Sequence, residues 1–189
     1  MTELEQYINS YFGVIGEEMT MIASLFKRAT LKRGEFYVTS GDLCDKLCFI
    51  ESGYLRLYAI VGEKEITQWI GSKGTPLGDM ASFMFNTTAR FNIQALVDTD
   101  IHTIQKEDYN KIVETVPGWP EIEKYYMINS FIMMEERIFT HLSMSSEERY
   151  VHFYNQNKEM FNQVPLLYIA SMLGMTAETF SRIRKKLLV

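Results

Sequence analysis

The stretch at residues 166–189, LLYIASMLGMTAETFSRIRKKLLV, predicts two helices joined by a tight turn. Gly174 supplies a residue that tolerates the positive φ of such a turn. Ala170 is small where the second helix must cross closely, and Thr176 stands where it can cap that helix. The apolar residues at helical spacing, which we expect to pack inward, are Ile169, Leu173, Met175, Phe180, Ile183 and Leu187.

The outer face of the second helix has the character of a nucleic-acid contact. From residue 165 onward four basic residues stand against one acidic residue, a net charge of +3, in a chain whose formal charge is −5. Clustered basic residues suit phosphate contact, and helix-turn-helix geometry places this face in the major groove of DNA. An ordinary helical hairpin with a solvated basic face is the alternative. The residues predicted to face DNA are Thr176, Ala177, Glu178, Thr179, Ser181, Arg182 and Lys185.

Residues 31–104 have the pattern of strands and turns. Short runs rich in β-branched and aromatic residues, such as KEITQWIG at residues 64–71, alternate with turn residues such as Gly41 and Gly53. Strands at this spacing indicate an antiparallel sandwich or roll. Residues 2–28 before them have helical spacing.

A long helix is predicted between Pro120 and Leu142. It either packs along its own domain or pairs with a second copy of the chain. A stripe with steps of four and three gives the expected dimer residues Ile122, Tyr126, Asn129 and Met133. The predicted organisation is an α+β chain with a β-roll domain at 1–117, a long connecting helix at 118–143 and an all-helical domain at 144–189.

Composition excludes several classes of protein. With 47% hydrophobic and 23% charged residues the chain is globular, and without a run of about 18 apolar residues it is not expected to enter a membrane. The acidic N-terminus lacks a signal-peptide layout, so we expect a cytoplasmic location. Cys44 and Cys48 are too few for a typical iron–sulfur site, and His102 stands alone in the β region, so neither a metal site nor an enzyme is predicted.

Taken in order, these segments resemble the catabolite activator protein/FNR (Crp/Fnr) family of bacterial transcription regulators. LKRGEFYVTSGDLCDKLCFIESGYLRLY at residues 31–58 is similar to the start of that family's cyclic-nucleotide-binding jelly roll, and PLGDM at residues 76–80 to the start of its phosphate-binding cassette. IASMLGMTAETFSRIRKKL at residues 169–187 is similar to its DNA-binding motif. The resemblance implies a homodimer that binds a palindromic operator in double-stranded DNA, and it would allow RNA polymerase as a further partner.

The cassette departs from the cyclic-AMP pattern of that family. Its Gly-Glu pair is Gly78-Asp79 here, and its Arg-Ser pair is replaced by Thr88 and Ala89, with Arg90 one residue late. Three readings stay open: cyclic AMP bound through a rearranged Arg90, another small ligand, or no ligand at all. Of these, cyclic AMP is the one we do not expect. The resemblance assigns the effector pocket to Gly78, Asp79, Met80, Thr88, Ala89 and Arg90.

Two further departures concern DNA. Ala177 stands where better-known members carry a base-reading arginine, which leaves Arg182 as the best candidate for a guanine contact. The sequence ends at Val189 without the β-hairpin wing of many relatives, so we expect weaker rather than abolished binding. The alternative function is a cyclic-nucleotide or small-ligand sensor whose helical tail docks on a protein instead of DNA.

Overall fold

The computed structural model describes residues 1–187, which fold into a β-sandwich covered by helices, a long helix and a C-terminal group of helices. The helices are α1 Glu3–Phe12, α2 Gly16–Ser24, α3 Met80–Phe85, α4 Lys106–Thr115, α5 Trp119–Ser143, α6 Ser146–Gln156, α7 Met160–Gln163, α8 Leu166–Met172 and α9 Ala177–Leu187. The strands are β1 Lys27–Leu31, β2 Phe36–Val38, β3 Lys46–Ser52, β4 Leu55–Val61, β5 Lys64–Gly71, β6 Pro76–Leu77, β7 Asn92–Ala95 and β8 Thr99–Gln105. None of the helices within residues 1–187 combines the length and apolar character needed to cross a bilayer.

Across residues 1–187 the strands form two four-stranded sheets, ordered β1-β8-β3-β6 and β2-β7-β4-β5, with antiparallel pairing. The inner faces of the two sheets enclose an apolar core that includes Ile50, Leu55, Ile93 and Ile101. Alternation along β3 sends Ile50 into this core and Phe49 to the opposite face of the sheet. The predicted α+β fold with a β-roll and a long helix is confirmed.

The N-terminal helices cover the outer face of the first sheet. Ile8 of α1 and Ile22 of α2 pack with Phe49 and with Trp119 at the start of α5. The helical prediction for residues 2–28 runs too far, because strand β1 already begins at Lys27. That segment pairs in register with β8 over its whole length, and sheet hydrogen bonds outweigh its weak local pattern.

Glycines make the tightest turns of the β-roll. Gly34, Gly41 and Gly53 have φ values of +89°, +97° and +87°, the left-handed region that L side chains avoid. At Gly53 a Cβ would also lie 2.5 Å from Thr99 Oγ1, so the β3–β4 turn has room for glycine alone.

The helices of the second half begin and end where local signals place them. Helix α4 ends at Thr115, ahead of Pro117, and α5 has Pro120 in its first turn, where a missing N–H costs nothing. Ser145 caps α6 through a capping box with Glu148: its hydroxyl accepts from the Glu148 N–H at 3.3 Å, and its own N–H donates to Glu148 Oε2 at 2.8 Å.

Candidate functional site

Helices α8 and α9 are joined by a turn of the Schellman type. The Met175 N–H donates to the Ala170 carbonyl at 2.9 Å, the Gly174 N–H donates to the Ser171 carbonyl at 3.0 Å, and Gly174 has a φ of +68°. The Thr176 hydroxyl then accepts from the Thr179 N–H at 3.1 Å, which caps α9. The geometry is that of a helix-turn-helix.

Helix α9 presents a polar face to solvent. Phe180 and Ile183 are buried, so the opposite side of the helix is fixed outward by packing. Of the residues predicted to face DNA, Thr179 is half-buried, while the exposed ones are Thr176, Ala177, Glu178, Ser181, Arg182 and Lys185. A face of this kind can offer Arg182 to base edges and Lys185 to phosphates.

An aromatic cluster holds α9 on the rest of the C-terminal domain. The ring centroid of Phe180 lies 5.1 Å from the ring centroid of Tyr150 on α6 and 6.0 Å from that of Phe161 on α7. At the rim Lys186 pairs with Glu147 at 2.8 Å. Lys186 is therefore paired with an acidic residue, whereas Arg182 and Lys185 are exposed to solvent.

Two arginines tie the end of α8 to the long helix. Arg137 of α5 donates to the Met172 carbonyl at 3.2 Å, and Arg149 of α6 donates to the Leu173 carbonyl at 3.0 Å and the Met144 carbonyl at 2.7 Å. Cations at a helix C-terminus satisfy carbonyls that have no intrahelical partner. A shift of α5 would therefore carry the helix-turn-helix with it.

The stripe predicted for dimerisation faces the chain's own domain over its first half. Ile122 packs against the N-terminal cluster, and the ring of Tyr126 lies 5.1 Å from that of Phe12. Asn129 and Met133 are exposed. The beginning of this stripe therefore packs against its own chain. Sequence periodicity alone does not distinguish such packing from pairing between two chains.

A second, neighbouring face of α5 carries large exposed apolar side chains. Tyr125, Ile132 and Phe139 recur at intervals of seven residues and are 68%, 46% and 70% exposed, and Leu142 is 81% exposed. Others on or beside this face are Ile128, Phe131 and Ile138. A seven-residue repeat of apolar side chains is the pattern of a coiled-coil seam.

Asp79 lies at the centre of the predicted effector cassette and is buried. Its carboxylate accepts from the Ser82 N–H at 3.1 Å, as the cap of α3, and from the Arg90 N–H at 2.8 Å. These bonds bring Gly78, Asp79 and Met80 beside the segment from Thr88 to Arg90. Both bonds are local, so this carboxylate holds the cassette together and faces no open space.

The three residues of the second cassette segment offer no cation to a bound phosphate. Thr88 is exposed and pairs with Leu43, and Ala89 lies in the sandwich core. Arg90 is exposed, with its guanidinium 5.2 Å from the Phe91 ring centroid. Arg90 lies in a bend before strand β7, and its exposed side chain does not enter the sandwich core.

A buried arginine joins the β-roll to the helix-turn-helix, and sequence patterns did not reveal it. Arg56 on β4 is 1% exposed, and its guanidinium lies between the rings of Tyr58 and Tyr168, at 4.1 and 3.7 Å. It also donates to Glu65 at 2.6 Å and to Thr67 Oγ1 at 2.9 Å. Tyr168 belongs to α8, so this contact spans two domains. In the sequence, only the alternation of inward and outward residues along β4 could have indicated that Arg56 is buried.

Strand β5, at the edge of the second sheet, is covered by α8. The Thr67 N–H, which would otherwise face an open sheet edge, donates to Ser171 Oγ at 2.9 Å. Edge strands with unpaired N–H groups are commonly covered in this way. The helix-turn-helix is therefore seated on the β-roll of its own chain.

Comparisons with known proteins agree with this architecture. The profile of the cyclic nucleotide-binding domain matches residues 28–116. The cyclic AMP receptor protein of Thermus thermophilus is 27% identical over 108 residues, which cover 57% of this chain and 50% of that protein. This chain thus spans half the length of that curated relative.

Solved structures share the fold over most of the chain. The Thermus thermophilus catabolite activator protein has a TM-score of 0.59 at 22% identity, covering 94% of this chain and 85% of the other. FixK2 of Bradyrhizobium japonicum has a TM-score of 0.70 at 15% identity, covering 86% and 84%. This chain therefore shares the fold of these two proteins, and its residues 28–116 match the cyclic nucleotide-binding domain.

Proposed function

We propose that this protein is a transcription regulator that binds a palindromic operator in double-stranded DNA as a homodimer. The observation that carries the proposal is the exposed outer face of α9, which follows a capped helix-turn-helix turn and presents Arg182 and Lys185 to solvent. The match to the cyclic nucleotide-binding domain and the fold shared with the Thermus thermophilus catabolite activator protein support it. The remainder of the chain is acidic, which repels DNA from other faces and favours docking through α9.

Each residue of the α9 face has a role suited to its chemistry. Arg182 can bind the O6 and N7 atoms of guanine in a bidentate manner, and Glu178 can accept from a cytosine amine. Lys185 and the Thr176 hydroxyl are suited to phosphate oxygens, which position the helix without reading sequence. Two copies of α9 would then read half-sites about 34 Å apart.

The dimer would form along α5. We assign the interface to the exposed seam of Tyr125, Ile132 and Phe139 rather than to the stripe that begins at Ile122, because Ile122 and Tyr126 are already packed within the protomer. A twofold interface places each apolar residue against a copy of its own surface, so the seam would be buried from both sides.

The test is selection of binding sites from a random pool of duplex DNA by the full-length protein, followed by affinity measurements at several salt concentrations. We expect enriched inverted repeats and a linear fall of log affinity with log salt. Arg182→Ala should lower affinity for the selected site by about 1–3 kcal/mol and relax sequence preference at one position. Lys185→Ala should weaken binding to all sequences alike.

Arg33→Ala is the matched control, since Arg33 is exposed on a β-roll turn far from α9 in sequence, and it should bind as the wild type does. If the protein binds no DNA at low salt, the proposal is wrong, and a helical tail that docks on a protein is favoured instead.

A further inference from the structure

An apolar cavity of about 110 Å³ lies at the outer side of the first sheet, and Cys48 and Leu77 of the sandwich core also line it. Six parts of the chain meet around it: the N-terminal helices, β3, β8, the cassette, α4 and the start of α5. The side chains that matter here are Phe49, Met80, Ile112, Trp119 and Met127, with the Gly78 backbone beside them.

One polar atom in the cavity wall lacks a partner. Trp119 is 1% exposed, and its indole Nε1 has no hydrogen-bond partner among residues 1–187. The hydroxyl of the neighbouring Tyr109 donates to Glu123, and its oxygen does not lie in hydrogen-bonding geometry to the indole N–H. A buried N–H without an acceptor destabilises the folded state, so a molecule that supplied an acceptor there would recover part of that cost.

The cavity wall is suited to an uncharged guest. Its lining has no Asp, Glu, Lys, Arg or His side chain among the described residues. Burial raises the pKa of the Cys48 thiol to about 12 and also raises the pKa of Tyr126, so both groups are neutral at physiological pH. A charged group placed here would lose its hydration with nothing to compensate.

The volume limits the guest to a small molecule. An engineered apolar cavity of about 150 Å³ accepts benzene, so about 110 Å³ admits a guest of similar or slightly smaller size. The flexible thioethers of Met80 and Met127 can move to adjust the fit. A cyclic nucleotide, with its charged phosphate, ribose and base, fits neither the size nor the polarity of the site.

We propose that this cavity is a binding site for a small, uncharged, largely apolar molecule that carries one hydrogen-bond acceptor, such as a carbonyl oxygen, directed at Trp119. The inference rests on the proposed function only for its regulatory consequence. Met80 belongs to the cassette and Trp119 begins α5, whose Arg137 holds the end of α8. A guest between them would connect the cassette to the helix that carries the DNA-binding domain.

The test follows the indole N–H resonance of Trp119 by ¹H–¹⁵N NMR in the full-length protein. The chain has two tryptophans, so a Trp69→Phe background leaves Trp119 as the single indole signal. Cyclopentanone and cyclopentane serve as probes of nearly equal size with and without an acceptor. We expect saturable shifts with both probes, and a downfield shift of the indole proton with cyclopentanone alone.

Two variants locate the site. Met127→Phe enlarges a side chain of the cavity wall and should weaken both probes at least tenfold. Met84→Phe makes the same change on α3 at a residue outside the wall, and it should leave both affinities unchanged. Absence of a saturable indole shift, or equal affinity in the Met127→Phe protein, would overturn the inference.

These measurements need no DNA, so a failure of the proposed function would leave them intact. A protein that binds operator DNA yet shows no indole shift would refute the cavity as a ligand site while the regulator remained. Correct folding of the Met127→Phe protein is verified by unchanged NMR chemical shifts of residues outside the cavity.

Discussion

At the scale of single residues, Asp79 and Arg90 decide which effector chemistry the cassette can support. The Asp79 carboxylate is occupied by two backbone N–H groups, and the Arg90 guanidinium is exposed to solvent. A cyclic nucleotide would need a cation inside the roll for its phosphate and a carboxylate that its ribose hydroxyl can reach, whereas Asp79 is buried. The cassette keeps its shape without either function.

We therefore predict that millimolar cyclic AMP or cyclic GMP leaves the thermal midpoint of unfolding unchanged. A ligand present at 100 times its dissociation constant would stabilise the folded state by about 2.7 kcal/mol, which a thermal melt detects readily. An increase in the midpoint that disappears in an Arg90→Ala protein would contradict the prediction.

At the scale of elements, α5 has a packed face and an exposed apolar face beside it. Its first half packs Ile122 and Tyr126 against α1 and the β-roll, and its exposed seam runs through Tyr125, Ile132 and Phe139. Ile132 and Met133 differ by about 100° around the helix axis. Charge placed at these two positions therefore distinguishes the two candidate interfaces.

Ile132→Glu is predicted to convert the dimer into a monomer, measured by analytical ultracentrifugation. Burying an isoleucine side chain in the interface stabilises the dimer by roughly 1.5–3 kcal/mol. Because the interface is twofold, the substitution removes this contribution from both chains and places two carboxylates near each other. Met133→Glu is the matched comparison and should remain dimeric. A monomer from Met133→Glu together with a dimer from Ile132→Glu would place the interface on the originally expected stripe.

At the scale of the whole molecule, Arg56 is a main contact between the β-roll and the helix-turn-helix. The guanidinium between Tyr58 and Tyr168 is fully desolvated, while its partner Glu65 is about half exposed. Stacking of a cation on an aromatic ring is worth about 2 kcal/mol or more when desolvated. Glu65 stays hydrated when Arg56 is removed. The loss of stability therefore comes mainly from the lost stacking on the two tyrosine rings and from the lost packing.

Arg56→Gln is expected to lower the free energy of unfolding by about 2–3 kcal/mol in urea titrations. Tyr168→Ala should cost a similar amount, and the double variant should cost less than the two single losses together, since both remove the same contact. Arg33→Gln provides the exposed control and should change stability by less than about 0.5 kcal/mol. Strictly additive losses would show that Arg56 and Tyr168 do not interact.

Much of the local structure could be predicted because its causes are local. Gly174 with Thr176 fixes the turn before α9, Ser145 with Glu148 fixes the start of α6, and both signals lie within a few residues of the structure they produce. The beginning of β1 at Lys27 could not be predicted this way, because its strand conformation depends on pairing with β8 about seventy residues later.

The sequence by itself determined the order of the domains, the helix-turn-helix and the outward direction of Arg182, since capping, periodicity and turn glycines act over short distances. Only the tertiary structure decided that Arg56 is buried between two domains, that Asp79 is buried and accepts from two backbone N–H groups, and that Trp119 lines an apolar cavity. These outcomes depend on which distant side chains meet. Contacts between residues far apart in the chain leave no periodic trace in the sequence, and they control the chemistry of the effector region.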